Sequence, residues 1–180
     1  MSKSLQKALK FIKDNEPIIL PTDTVYGLVC RYDSKSAVGK IYQLKKRTRK
    51  KPLILLGYNW KALKKFVKLP IRHSSFVIRH SKWPGPLTIV LPASKRVPKF
   101  LNKGFKTIGV RVPNNKFLLR LLKYCPGQVL ASTSANISGK KDVNEIANKV
   151  KLFIRAKRGE MSYKPSRVVE IRNDRIKILR

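Results

Sequence analysis

Between Ile18 and Leu28 the chain reads Ile-Ile-Leu-Pro21-Thr22-Asp23-Thr24-Val25-Tyr26-Gly27-Leu28. Two hydroxyls, a carboxylate and a phenol thus lie within five residues. Ile18–Leu20 is an apolar run that predicts a buried strand. Pro21 has no N–H to give a sheet ladder, so it marks the strand's end. Short polar side chains at such an end are suited to hold a small ligand rather than to fill a core. A polar turn plugged by a tyrosine is the plainer account of the same residues.

Three further polar stretches adjoin predicted strands: Lys45–Lys51, Pro84–Thr88 and Ser132–Ser138. The first, Lys45-Lys46-Arg47-Thr48-Arg49-Lys50-Lys51, suits phosphates, since lysine offers a point charge and arginine a bidentate fork. Cations at a helix C-terminus also complement its dipole with no ligand involved. The stretch Ser132-Thr133-Ser134-Ala135-Asn136 offers hydroxyls and backbone N–H groups without bulk, as a nucleotide pocket requires. On composition alone an ordinary serine-rich loop is the favoured reading. No glycine-rich P-loop pattern occurs, which excludes a Walker-type ATPase.

The 180 residues carry 42 Lys+Arg against 9 Asp+Glu, a formal charge of +33. Such a field attracts polyanions: nucleic acid, nucleotides or an anionic membrane. The 28 lysines are spread through every segment, so drift toward lysine explains the charge as well as selection for RNA does. Apolar residues make up 42%, enough for a core. Cys30 and Cys125 belong to no paired metal motif and are read as reduced thiols of a cytoplasmic protein. His73 and His80, seven apart on a predicted helix, lack partners for a metal site. No apolar run is long enough to span a membrane, and the N-terminus lacks a signal peptide's apolar core.

Periodicity places helices at Ser4–Asp14, from Ser34 to about Lys46, from Asn59, from Pro70 to about Ser81, from Asn114 to Tyr124 and from Asp142 to about Val150. It places strands at 18–20, 28–30 (or a turn into the core), 53–56, 87–91, 107–112, 128–131, 152–155, 168–171 and 176–179. Residues 94–105 read as a loop. The interleaving predicts an α/β domain with a mixed, largely buried sheet.

Taken together, the motifs resemble the YrdC family of threonylcarbamoyl-adenylate synthases. The residues that carry the resemblance are Pro21–Leu28, Lys45-x-Arg47 with Lys51-Pro52-Leu53, and Trp83-Pro84-Gly85-Pro86-Leu87-Thr88. Gly109-Val110-Arg111-Val112-Pro113, Ser134-Ala135-Asn136-x-Ser138-Gly139 and Pro165-Ser166 complete the set. The ordered set is far more specific than any one motif. The resemblance implies one YrdC-like domain over residues 1–180, a twisted mixed sheet with flanking helices and a basic concave face. The length is similar to the family's short form, without a linker or second C-terminal domain. It implies condensation of L-threonine, bicarbonate or CO2, and ATP to threonylcarbamoyl-AMP, with release of pyrophosphate. A partner transferase complex would then modify tRNA beside the anticodon. Carried over by position, Thr22, Thr24 and Tyr26 line the threonine end, with Arg111 and Ser166 closing it. Lys45, Arg47 and Lys51 hold phosphates, the first two also acting in catalysis. Thr88, Ser132, Ser134 and Asn136 hold the nucleotide. Mg²⁺ accompanies ATP without a dedicated protein site. The pattern departs from the family at Thr48, Leu56, Asn115 and the loop after Gly139.

That chemistry agrees with the residues. A threonine carbamate is already an anionic nucleophile and needs no strong base, and no Ser-His-Asp or Cys-His set is evident. Placement against the α-phosphate and neutralisation of the leaving pyrophosphate are what remain, with Asp23 a weak candidate to assist through water. Two competing readings stand beside it. A non-catalytic module binding tRNA or duplex RNA weakly and electrostatically explains the charge, but not the Thr22–Tyr26 and Ser134–Asn136 sets. A carbamoyl-transfer domain of the hydrogenase-maturation type would bring cysteine-paired zinc motifs, and this sequence has none.

Overall fold

The computed structural model describes residues 1–46, 52–68, 82–102, 104–136, 143–172 and 175–180. Arg47, Lys51, the expected helix from Pro70 with His73 and His80, and the departures at Thr48 and after Gly139 lie outside the described residues.

Strands β1 (Ile18–Leu20), β2 (Gly27–Arg31), β3 (Ile54–Gly57), β4 (Leu87–Pro92), β5 (Thr107–Arg111), β6 (Val129–Ser134), β7 (Arg167–Arg172) and β8 (Arg175–Ile178) form one twisted open sheet. Their order is β1-β2-β6-β3-β5-β4-β7-β8. The pairs β3·β5 and β4·β7 are parallel, and the other five are antiparallel. The mixed sheet of the sequence reading is therefore observed. The helices are α1 (Lys3–Lys13), α2 (Lys35–Leu44), α3 (Trp60–Leu63), α4 (Lys99–Asn102), α5 (Lys116–Tyr124) and α6 (Asn144–Ala147).

Local chemistry sets the helix starts. Ser34 Oγ accepts from the Ala37 N–H at 3.3 Å, and Asn59 Oδ1 from the Ala62 N–H at 2.9 Å. Asn115, rather than Asn114, caps α5, accepting from the Leu118 N–H at 2.8 Å. Three other expectations are corrected. Residues 94–105 contain the short helix α4. The helix expected from Asp142 is described only over Asn144–Ala147, with no side-chain cap. The strand expected at 152–155 is reduced to one bridge between Ile19 and Phe153, because β1 has three residues and only Ile19 turns its backbone to that edge.

Register divides the sheet into two faces. One carries Leu28, Cys30, Leu55, Ile89, Leu91, Ile108, Val110, Ala131 and Val169, and is buried in the main core with α2 and Phe66. On the other face, Ile18, Leu20, Val29, Leu56 and Leu130 are covered by α1 and α5 through Leu5, Leu9, Ile12, Leu118, Leu121 and Leu122. Apolar burial of this kind contributes about 25 cal/mol per Å². Two residues further along the same strands the apolar cover ends. Gly27 lies next to Val29 along that face, Ser132 and Ser134 follow Leu130, Gly109 lies alongside Ile54, and Arg111 is level with Leu56. Strand alternation thus hands one surface from helix packing to small and polar residues.

Candidate active site

At the polar end of that face the chain after β1 makes a tight hydroxyl-bonded turn. Thr22 Oγ1 accepts from the Thr24 N–H at 3.0 Å and donates to the Val25 carbonyl at 2.7 Å. Thr24 Oγ1 lies 3.0 Å from it. Both threonines are buried, so these rotors are fixed before any ligand arrives. A Cβ on Gly27 would stand 3.3 Å from Thr22 Cγ2 and 3.5 Å from Ser132 Oγ. Glycine thus keeps the approach of this turn to β6 free of a tight contact.

Arg111, at the end of β5, reaches the turn from the neighbouring part of the sheet. Its Nε donates to the Gly85 carbonyl at 3.0 Å, Nη1 to Thr24 Oγ1 at 2.9 Å and Nη2 to Asp23 Oδ1 at 2.6 Å. Arg111 is only 4% exposed. Burial pulls its pKa down while Asp23 pushes it back up; a guanidinium stays charged regardless. Asp23 Oδ2 is buried and has no partner among the described residues. The Gly85 carbonyl is held in place because the Gly85 N–H donates to Val112 at 2.9 Å, and a Cβ there would meet the Lys82 carbonyl at 2.5 Å. Pro84–Pro86 is thereby braced against the end of β5.

The other expected residues gather around this cluster. Thr88 and Ser166, both buried, share a hydrogen bond of 3.0 Å across the parallel β4·β7 pair. Ser132 is buried on the same face, while Ser134 is exposed. The Tyr26 hydroxyl accepts from the Ala156 N–H at 3.0 Å, its ring packs edge-on against Phe153, and its carbonyl accepts from the Ala135 N–H at 2.8 Å. Ser162 closes over the turn by donating its N–H to the Asp23 carbonyl at 3.2 Å.

Lys45 sits where the sequence places a phosphate contact, yet it is 1% exposed. Its ammonium donates to the carbonyls of Ser134 and Asn136 and, at 3.3 Å, to Asn136 Oδ1. In this conformation it holds the Ser134–Asn136 loop to the end of α2. Asp23, a weak candidate in the sequence, is the residue the sequence reading undervalued. Its contact with Arg111 spans 88 positions, and only the carboxylate's place beside two threonines signalled it. Asn115, a departure from the family pattern, caps α5 and also donates Nδ2 to Glu160 Oε1 at 2.9 Å.

No three His, Cys, Asp or Glu residues gather into a metal-binding group among the described residues. Asp23 is the single carboxylate of the cluster, and one of its oxygens is on Arg111. This donor set does not fit a resident divalent ion.

Residues 10–180 match the model of the Sua5/YciO/YrdC family, described as "Telomere recombination". The chain belongs to this family. A threonylcarbamoyl-AMP synthase of Pseudoalteromonas translucida is 38% identical to it over 147 residues, 80% of this chain and 77% of the relative. The solved Pyrococcus abyssi Sua5 in complex with L-threonine superposes with a TM-score of 0.84 at 31% identity, covering 98% of this chain and 53% of Sua5. The chain thus spans about half the length of that Sua5. Escherichia coli YciO superposes with a TM-score of 0.80 at 26% identity, covering 98% of this chain and 87% of YciO.

Proposed function

We propose that this Sua5/YciO/YrdC chain is an L-threonylcarbamoyladenylate synthase, a nucleotidyltransferase that acts as one domain. The observation that carries the reading is the convergence of Thr22, Asp23, Thr24 and Arg111 on one face of the sheet, with the Thr88–Ser166 pair on that face too. It occurs in a chain 31% identical to a Sua5 solved with L-threonine.

The cluster carries both signs of charge, which suits a zwitterionic amino acid. Three of the five N–H donors of Arg111 are engaged by protein, so two are left for a carboxylate. Thr22 and Thr24 place hydroxyls beside it. The threonine amine adds to CO2, losing a proton, and gives a carbamate. A carbamate oxygen attacks the α-phosphorus of ATP, the bond to the β-phosphate oxygen breaks, and pyrophosphate leaves. The protein's part is placement and charge neutralisation. Ser132, Ser134 and Asn136 would receive the nucleotide, with Lys45 fixing their loop and Arg47 and Lys51 meeting the phosphates. Mg²⁺ would arrive on the ATP phosphates. The product would pass to a transferase complex for tRNA modification in the cytoplasm.

Purified protein with ATP, Mg²⁺, bicarbonate and L-threonine should release pyrophosphate and form an acyl-adenylate. Serine lacks one methyl, worth about 1 kcal/mol or slightly more, so it should be disfavoured roughly tenfold. Pyrophosphate release indifferent to threonine would end the assignment.

A further inference from the structure

Outside the threonine-turn cluster, a cavity of about 350 Å³ opens between the turn after α1, the last turns of α2 and the segment that leads to Phe153. Lys40, Lys46, Lys149 and Lys151 line it, with Glu16 the only carboxylate. Leu44 and Val150 supply apolar wall. Glu16 stands 2.8 Å from Lys151 and 2.9 Å from Lys40, and these two ammoniums hold its carboxyl below the usual range. Four cations against one anion leave the cavity at 4 − 1 = +3. Lys46 and Lys149 have no ion pair among the described residues, and both are exposed.

Like charges brought together from two separate segments, 40–46 and 149–151, repel, and one glutamate does not balance them. We propose that this cleft is a second anion site, which takes the phosphate groups of a nucleoside phosphate and sets its sugar or base against Leu44 and Val150. Its volume lies at the lower end of ligand pockets. That is more room than a bare inorganic anion fills and suits one nucleotide unit. Flexible ammoniums around a half-apolar wall match phosphate oxygens attached to an apolar body. None of the lining residues belongs to the threonine-turn cluster. Two short connections nevertheless join the sites: Lys46 follows Lys45, whose ammonium holds the Ser134–Asn136 loop, and Lys151 precedes by two residues the Phe153 ring that packs on Tyr26. The nucleoside phosphate has two sources, an RNA strand or free nucleotide. The proposal does not depend on the synthase reading.

The test is an NMR titration of the uniformly ¹⁵N-labelled full chain with AMP and ATP in one arm and a short RNA duplex in the other. The expected result is saturable shifts of the amides at 43–46 and 149–151 in at least one arm. Shifts with nucleotide alone assign the free source, and shifts with RNA alone assign the strand. The variant Lys149→Gln/Lys151→Gln should weaken these shifts about tenfold while leaving the spectrum otherwise folded. In the RNA arm it should also lower the salt slope by about 1.4–1.8, at 0.7–0.9 per phosphate contact. Should that variant not fold, Glu16→Gln serves instead: loss of the competing carboxylate should raise affinity. No shift at these amides in either arm, shifts unchanged in the double variant, or affinity not raised by Glu16→Gln would each overturn the proposal. L-threonine shifts at Thr24 and Arg111 report on the synthase reading separately.

Discussion

Arg111→Met should be the most destabilising single change at the crevice, and the geometry sets its size. The wild-type guanidinium donates to three acceptors at 2.6–3.0 Å. Its ion-pair partner Asp23 has a side chain only 12% exposed and one oxygen already without a partner among the described residues. Methionine keeps most of the volume but leaves a buried carboxylate with no counter-charge. Breaking a buried pair in that way costs about 3–5 kcal/mol. Asp23→Asn in the same chain removes the stranded charge. The double variant then retains mainly the loss of donors to Thr24 Oγ1 and the Gly85 carbonyl, about 1–3 kcal/mol. A double-mutant cycle should therefore show coupling of about 2 kcal/mol or more. Urea unfolding followed by circular dichroism measures all four corners. A cost below about 1 kcal/mol for Arg111→Met, or costs that add within about 0.5 kcal/mol, would refute the claim that the two residues form one buried electrostatic unit.

Lys45→Met should lower stability by about 1–3 kcal/mol, because the carbonyls of Ser134 and Asn136 lose a charged donor. It should also weaken ATP binding, whereas Lys61→Gln on an exposed face should change either by no more than about 0.5 kcal/mol; paired unfolding and ATP titrations decide, and equal behaviour of the two variants would contradict the loop-holding role. Burial pushes the Cys125 thiol up to about 12 and raises Cys30 as well. The unfolded chain, with thiols near 8.5, then binds fewer protons than the folded one above that pH, so stability falls as pH rises, by up to about 1.4 kcal/mol per unit per thiol. Comparing wild type with Cys30→Ala/Cys125→Ala from pH 7 to 10 isolates this, and identical slopes would show that the thiols are not protected.

Local features were legible in the sequence because their causes are local. Leu5, Ala8, Leu9 and Ile12 state the buried face of α1 by spacing alone, and Ser34 and Asn59 announce helix starts by side-chain chemistry. What spacing cannot state is which strands become neighbours. The parallel β3·β5 pair is what brings Arg111 onto the face of Ser132 and Ile54. Without it Arg111 is one more cation among 42. Lys45 is similar: it opens a basic run that says nothing of its partners, which lie 89 and 91 residues away. The strand expected at 152–155 shows the opposite limit, a pattern adequate for pairing that meets an edge too short to receive it.

The distribution of the few carboxylates gives a last consequence. Asp23 is committed to Arg111, Asp33 to Arg31, Glu16 to Lys40 and Lys151, and Glu160 to Asn115. Nine acidic residues cannot match 42 basic ones, so most lysines face water against other cations. Such a surface destabilises the folded chain through self-repulsion, and salt screens it over about 10 Å at 0.1 M. Stability should therefore rise with sodium chloride through the range where phosphate contacts weaken. RNA affinity should fall over the same range, with little preference between tRNA and unrelated duplexes, because counterion release drives it. The opposite signs separate two properties of one charge distribution. Unfolding midpoints and RNA titrations at three salt concentrations measure both. Affinity that held constant with salt, or that favoured tRNA strongly over other duplexes, would mean that specific contacts and not the general field select the partner.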